Sequence, residues 1–346
     1  MVLLYQYLSK KSVTIPRRQF VFNSHYDEKG KPSVQAELRF EVGACHTYSI
    51  DFTIGCSHNC IYCYFSELQK ITFKKAFREY RGNIIVMDID NLLSLESYPT
   101  QIYLSYATDP FAPAAQKAAH KVIARLVNYN VQLTILTKGI IPEHTIELLD
   151  QYCGRGGQVT VQVGIANLSH DRNKMIEPSA ASAEDRLSLL NRLNKTKISV
   201  VAARADPVFA LIDDTENELC CLLDSLVATG TKNLIVSYLV ASRGMIRRMS
   251  NIEDLKSSLA MLTDETPTVA LSSVYSVPQE YKLSKLRHIF KLCSDRSISF
   301  HCCGCKDKRL VSSGLSSVCH PRDTNDFVGD YTAPGNLLLK MKRHTE

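Results

Sequence analysis

The chain has 346 residues, 45% of them hydrophobic and 22% charged, with a formal net charge of +6. These values sit near globular averages and exclude disordered and fibrous classes, while the length suits one large α/β unit or two ordinary domains. No apolar run approaches the ~20 residues of a bilayer span, and the opening MVLLYQYLSKK is too short for a signal-peptide core with a cleavage site. The expectation is a soluble, cytoplasmic protein with no membrane partner.

Residues 1–45 show no strong period, and Asp27-Glu28-Lys29-Gly30-Lys31-Pro32 reads as a turn; they are taken as an N-terminal cap segment. A short strand at 48–53 leads into a cysteine-bearing loop, and helical spacing follows at 67–80. From 101 onward strands and helices alternate. Strands are expected at 101–106, 131–136, 158–165, 198–203 and 233–239, and helices at 115–129, from about Pro142, at 183–193 and at 215–228. Proline suits a first helical turn because its φ is fixed. Short β-branched strands between helices predict a parallel sheet with right-handed crossovers. With the strand before the cysteine loop there are six, so 46–245 is expected to form a partial (β/α)6 TIM-type barrel. Beyond Ser242 the pattern weakens. Residues 252–262 and 279–292 read as helical and the stretch from about 298 as an irregular cysteine-bearing tail, so 246–346 is set apart as a C-terminal region.

Twelve cysteines in a chain of this size favour metal binding over a disulfide framework. Three of them, Cys56, Cys60 and Cys63, fall within eight residues of the string TIGCSHNCIYCYF. Three thiolates from one short loop can hold three irons of a cubane and leave the fourth iron open. A zinc site would need a fourth protein ligand and usually draws two separated pairs; three buried, unligated thiols are the remaining reading. A second group is His301-Cys302-Cys303-Gly304-Cys305-Lys306-Asp307, with Cys319-His320 beyond it. Cys302, Cys303, Cys305 and Cys319 are open to four readings: an auxiliary Fe–S cluster, a zinc site, a redox or radical-quenching thiol, or buried thiols. Cys153, Cys220, Cys221 and Cys293 lie on helical faces and read as core. The basic pairs Lys10-Lys11, Arg17-Arg18, Lys74-Lys75 and Arg247-Arg248 are short and read as solvated surface, which leaves a nucleic-acid partner unsupported.

The spacing C-x3-C-x2-C with Tyr62 before the third cysteine resembles the signature of the radical S-adenosylmethionine (radical SAM) superfamily. The longer string from Gly55 to Tyr64 is similar to the G-C-x-H-x-C-x-Y-C-Y of its spore photoproduct lyase-like branch. The resemblance implies a 4Fe–4S cluster on Cys56, Cys60 and Cys63, with SAM chelating the open iron and Tyr62 packing beside it. It also implies reductive cleavage of SAM to a 5′-deoxyadenosyl radical, with an electron donor such as flavodoxin or ferredoxin and a substrate that stays unidentified.

Further strand ends resemble the same branch. Leu104-Ser105-Tyr106-Ala107-Thr108-Asp109-Pro110-Phe111 is similar to its L-S-x-x-T-D-P-Y segment, which implies that Thr108 and Asp109 line the SAM site; as plain chemistry the same pair before a proline is a helix entry. Thr137-Lys138-Gly139 resembles T-K-S and implies a lysine beside the SAM carboxylate. Gly164 matches a small residue near SAM. Arg204, with Asp206-Pro207, ends the fifth strand, and its planar fork suits a carboxylate of SAM or substrate. Glu177-Pro178 and Arg186-Leu187 resemble an E-P…R-L stretch, which implies two partners that fix the loop over the cofactor; as plain chemistry the same charges are an ordinary surface ion pair. One departure matters: the position of the lyases' hydrogen-donor cysteine is Tyr106 here, so thymine-dimer repair is not carried over. The reading is therefore a radical SAM enzyme that tailors a small molecule or peptide. The alternatives are a nucleic-acid lesion enzyme and a non-catalytic iron–sulfur or zinc protein.

Overall fold

The computed structural model describes residues 56–63, 101–105, 108–129, 131–266, 274–302, 307 and 310, with short strands at 25–26, 32–33, 37–40, 48–51, 53–54, 78–79, 97–99 and 341–343. An eight-stranded sheet runs in strict chain order. Strand β1 (Glu37–Phe40) is an antiparallel edge against β2 (Tyr48–Asp51). Parallel to β2 follow β3 (Gln101–Leu104), β4 (Gln132–Thr137), β5 (Val159–Gly164), β6 (Val200–Val208), β7 (Asn233–Tyr238) and β8 (Ser299–Cys302). Every crossover steps one strand the same way, so the right-handed rule puts the connecting helices on one face and the sheet curls as an open barrel. Strands such as QLTILT, VTVQVG and NLIVSY are mostly aliphatic and β-branched and buried along most of their length, which suits burial on both faces.

The helices follow from spacing and caps. Helix α1 (Gln116–Leu126) buries Ala118, Ala119, Val122, Ile123 and Leu126, the three-to-four spacing of one apolar stripe. Pro142 stands immediately before α2 (Glu143–Gly154). Helices α3 (His170–Ile176), α4 (Ala183–Leu193), α5 (Glu216–Ala228) and α6 (Arg243–Met249) each begin after a hydroxyl residue. Ser169, Ser182, Thr215 and Ser242 accept from the backbone N–H groups of Arg172, Asp185, Glu218 and Met245, each satisfying one donor the helix leaves open. Helix α7 (Gln279–Ser294) returns the chain to β8.

Six parallel strands match the expected series, and β8 adds a seventh from the stretch read as irregular tail. Two-turn helices α3 and α6 were not anticipated. The expected helix at 252–262 is a 3-10 turn, Glu253–Leu255, running into a short helix, Lys256–Ala260. The first strand stops at Asp51, and Thr53–Ile54 pairs antiparallel with Arg78–Glu79. The helix read at 67–80 therefore does not reach 78; its remainder lies outside the described residues. Of the four cysteines read as core, Cys293 is buried, Cys153 and Cys220 are half-buried, and Cys221 is exposed. No helix of the described residues is long and apolar enough to cross a membrane.

Register sets the geometry of the mouth. Thr137 stands opposite Val163, and Gly164 opposite Arg204. Lys138, Gly164 and Arg204 therefore share one level, just past the end of β4, at the end of β5 and midway along β6, which runs on to Val208 beyond the expected end at 203; this is the edge where barrels of this kind carry their sites.

Candidate functional site at the sheet's carboxyl edge

Cys56 to Cys63 form a tight loop closed by the Cys63 N–H on the Cys60 carbonyl, 3.1 Å. Its neighbours come from far along the chain. The Ile61 N–H donates to the Ile176 carbonyl at 3.0 Å, at the end of α3, and the Ser179 N–H donates to the His58 carbonyl at 3.2 Å. From α6, Arg248 Nε donates to the Ile61 carbonyl at 3.2 Å and Nη2 to the Cys63 carbonyl at 3.0 Å. Arg248, read as solvated surface, is instead turned onto the cysteine loop.

His58 is buried inside the loop. Its Nδ1 lies 3.0 Å from the Ser179 carbonyl and its Nε2 3.0 Å from Asp109 Oδ2. Both nitrogens face acceptors, an arrangement that favours the protonated ring. Burial works against the charge, but the Asp109 carboxylate and the Ser179 carbonyl raise the pKa. Asp109 also accepts from the Phe111 N–H at 2.8 Å, Thr137 Oγ1 at 2.6 Å and the Lys138 N–H at 2.6 Å. Burial alone would favour its neutral acid; His58 and these donors hold its pKa below the usual value. The carboxylate's acceptor positions are thereby filled from within, and Asp109 ties the cysteine loop to the ends of β3 and β4.

A second buried network lies beside it. Lys138 Nζ donates to Tyr62 Oη at 2.5 Å and to the Asp206 carbonyl at 2.8 Å, and stands 3.2 Å from Glu177 Oε1. Its ammonium also sits 4.8 Å from the centre of the Tyr62 ring. Tyr62 Oη donates to Glu177 Oε1 in a short hydrogen bond, and the Phe209 ring packs edge-on to Tyr62 at 6.2 Å. Glu177 Oε2 pairs with Arg186 Nη2 at 2.6 Å. Arg186 donates through Nε to the Ala181 carbonyl at 2.7 Å and through Nη1 to the Gly164 carbonyl at 2.8 Å. The Glu177–Arg186 partnership read from the sequence is therefore formed, and it is interior. Burial opposes the Glu177 charge, but Lys138 and Arg186 outweigh it and hold the carboxyl at about 2.

Gly164 makes room for this network: a Cβ there would stand 2.7 Å from Lys138 Cγ and 2.9 Å from Lys138 Cε. Arg204 is spoken for as well, through Asp206 Oδ2 at 2.9 Å and Gln162 Oε1 at 3.0 Å. The sequence thus picked residues that meet at one edge, but Asp109, Lys138 and Arg204 are engaged with protein partners. Thr108 is half-buried at the same edge. Two buried donors at this edge, Ser105 Oγ after β3 and Asn167 Nδ2 after β5, have no hydrogen-bond partner among the described residues, the condition expected of groups that await a ligand or water.

The thiols fit a polynuclear centre. Burial pushes the Cys56 thiol far up, and burial with the Glu177 charge pushes Cys60 up to about 12 despite Lys138. Deprotonated sulfur here therefore needs cationic irons beside it. Cys56, Cys60 and Cys63 lie within one eight-residue turn, and the charges of Cys60 and Cys63 act on Cys56. Among the described residues no three Cys, His, Asp or Glu side chains converge on one ion-sized point, and a cubane does not require it, because each thiolate meets a different iron.

In the second cysteine group, Cys302 is buried at the end of β8, level with Val236. Cys303, Cys305 and Cys319 lie outside the described residues, as does Tyr106. Asp307 is anchored by Lys282 of α7 in a buried pair, Nζ to Oδ2 2.6 Å. His58 lies inside the cysteine string, which is its sequence signal; Arg248 and Phe209 carry none beyond a charge and an apolar ring.

The family model described as Radical SAM superfamily matches residues 50–220. An uncharacterized protein of Acidianus two-tailed virus is 24% identical over 225 residues, 60% of this chain and 71% of that protein. Among solved structures, spore photoproduct lyase complexed with dinucleoside spore photoproduct superposes with a TM-score of 0.56 at 15% identity, covering 84% of this chain and 81% of that one. A variant of spore photoproduct lyase with bound SAM and dinucleoside spore photoproduct gives 0.55 at 16% identity, covering 73% and 76%. At these identities the likeness is one of fold.

Proposed function

Because residues 50–220 are a radical SAM domain and the chain is thereby a radical SAM enzyme using a 4Fe–4S cluster and SAM, we propose that Cys56, Cys60 and Cys63 hold that cluster. The observation that carries this is the loop itself: three closely spaced thiols, those of Cys56 and Cys60 raised by burial, in a turn clamped from α3 and α6. When bound, the cluster and SAM supply a 5′-deoxyadenosyl radical that takes a hydrogen atom from substrate.

The chain's own residues set the stage for it. His58 and Asp109 lock the cysteine loop onto β3 and β4. Lys138, Glu177 and Arg186 fix the Tyr62 ring, whose aromatic face is the wall beside the cluster. Thr108, Ser105 and Asn167 offer polar atoms toward SAM, and Lys138, Gly164 and Arg204 form the floor at one level of the mouth. Low-potential electrons would come from a flavodoxin- or ferredoxin-type donor, in a cytoplasmic, reducing setting. In this reading 1–45 caps the barrel, 46–245 carries the chemistry and 246–346 completes it.

The substrate class we favour is a small molecule or peptide. Among the described residues, the mouth's cations Lys138 and Arg186 share the Glu177 carboxylate and Arg204 pairs with Asp206, so of three cations at most one charge is left to neutralise phosphates. The test is anaerobic reconstitution, then SAM and dithionite, with 5′-deoxyadenosine measured alone and with peptide or oligonucleotide pools. Product rising with the oligonucleotides only would turn the assignment to a nucleic-acid enzyme, and absence of SAM turnover would leave an iron–sulfur binding protein. Iron near eight per chain instead of about four would add the auxiliary cluster on Cys302, Cys303, Cys305 and Cys319.

A further inference from the structure

Arg248 lies beyond the matched domain, in the last turn of α6. A basic residue there would ordinarily complement its own helix's carboxyl end. Instead the guanidinium leaves the helix and donates to two carbonyls on either side of Tyr62: Ile61 through Nε at 3.2 Å and Cys63 through Nη2 at 3.0 Å. The Ile61 N–H is held from the opposite side by the Ile176 carbonyl. The segment that carries the third cysteine and the aromatic wall is thus fixed between α3 and α6, and a positive charge is seated against the backbone of Cys63. A planar fork can span two carbonyls in a way that a single ammonium cannot.

Resting on the assignment of Cys56, Cys60 and Cys63 as ligands, we infer that Arg248 is a positioning residue that supplies fixed positive charge to the cluster and raises its reduction potential. The physical reason is charge balance. Reduction adds one electron to a centre already surrounded by thiolates, so a cation held at the third ligand stabilises the reduced state more than the oxidised one. Net charge and hydrogen bonding around the ligands are recognised levers on such potentials. The neighbouring Arg247 has the same formal charge but is exposed, where solvent screens it.

The experiment compares anaerobically reconstituted full-length wild type, Arg248→Gln, Arg248→Lys and Arg247→Gln. Iron and sulfide are counted, and the fraction of reduced cluster is read by EPR at a series of set potentials. Arg248→Gln is expected to keep its iron but to show a reduced-to-oxidised ratio on the order of tenfold lower at the wild-type midpoint, a midpoint about 59 mV lower for a one-electron couple. Arg248→Lys should recover most of that difference, and Arg247→Gln should coincide with wild type. An Arg248→Gln midpoint equal to wild type with iron intact overturns the inference. If Arg248→Gln does not retain a cluster, Arg248→Lys decides: a wild-type midpoint supports the charge role, and a lowered one refutes it. A wild type that binds no cluster would sink the ligand assignment itself, a separate outcome.

Discussion

Glu177→Gln replaces the anion on which the buried network turns while keeping its size. Glu177 stands between Lys138 and Arg186, with side chains 5%, 17% and 2% exposed. Two routes give its worth. Moving a carboxyl from 4.5 to about 2, at about 1.36 kcal/mol per pH unit, is on the order of 3 kcal/mol. Removing one partner of a buried pair costs roughly 3–5 kcal/mol, because the opposite charge is left uncompensated. The folded-state pKa is depressed, so the contribution is complete above pH 4.5 and is lost as pH falls toward 2. The expected deficit in Glu177→Gln is therefore about 3 kcal/mol and the same at pH 7 and pH 5.5, measured by urea unfolding under anaerobic conditions. Adding Arg186→Met should recover part of it, since the orphaned cation is then gone. A single-mutant deficit below about 0.5 kcal/mol, the range of ordinary surface changes, would refute the argument that this network is interior and cooperative.

Asp109→Ala strips acceptors from His58, Phe111 N, Thr137 and Lys138 N together, and a loss of about 3–5 kcal/mol is expected on thermal or urea unfolding. Gly164→Ala places a methyl 2.7 Å from Lys138 Cγ; a cost of roughly 1–3 kcal/mol is expected from overpacking, with tyrosine fluorescence reporting displacement of Tyr62. In the native protein a thiol reagent should modify exposed Cys221 well before buried Cys293, whose thiol burial pushes up to about 12; mass mapping at short reaction times reads the order.

How much of this was written in the sequence depends on range. The six inner strands are legible because burial on both faces demands near-continuous apolar runs, and the cysteine triad is legible because all three ligands lie on one short loop. Helices α3 and α6 escaped notice because seven residues give only two turns, too few for a period to stand out, although Ser169 and Ser242 are ordinary caps. Strand β8 is four residues, SFHC, and mixes polar with apolar, so it read as tail. The site's framework was the least legible. His58 meets Asp109, Tyr62 meets Lys138 and Arg248 meets Cys63 across separations of 51, 76 and 185 residues, which local pattern does not encode and sheet order does. Likewise Lys138 and Arg204 read as ligand-facing charges; Glu177, at the end of α3, emerges as the partner of Lys138 only in the fold, whereas Asp206 stands two residues from Arg204 on the same strand.

The central claim is that Cys56, Cys60 and Cys63 together carry the cluster on which SAM is cleaved. The most direct measurement is iron and sulfide content with the EPR spectrum of the dithionite-reduced protein, compared between wild type and the Cys56→Ala/Cys60→Ala/Cys63→Ala variant after identical anaerobic reconstitution. The account predicts about four irons per chain lost in the variant, together with the SAM-perturbed EPR signal and all 5′-deoxyadenosine formation. A variant that keeps the same iron, the same signal and its SAM cleavage would contradict it.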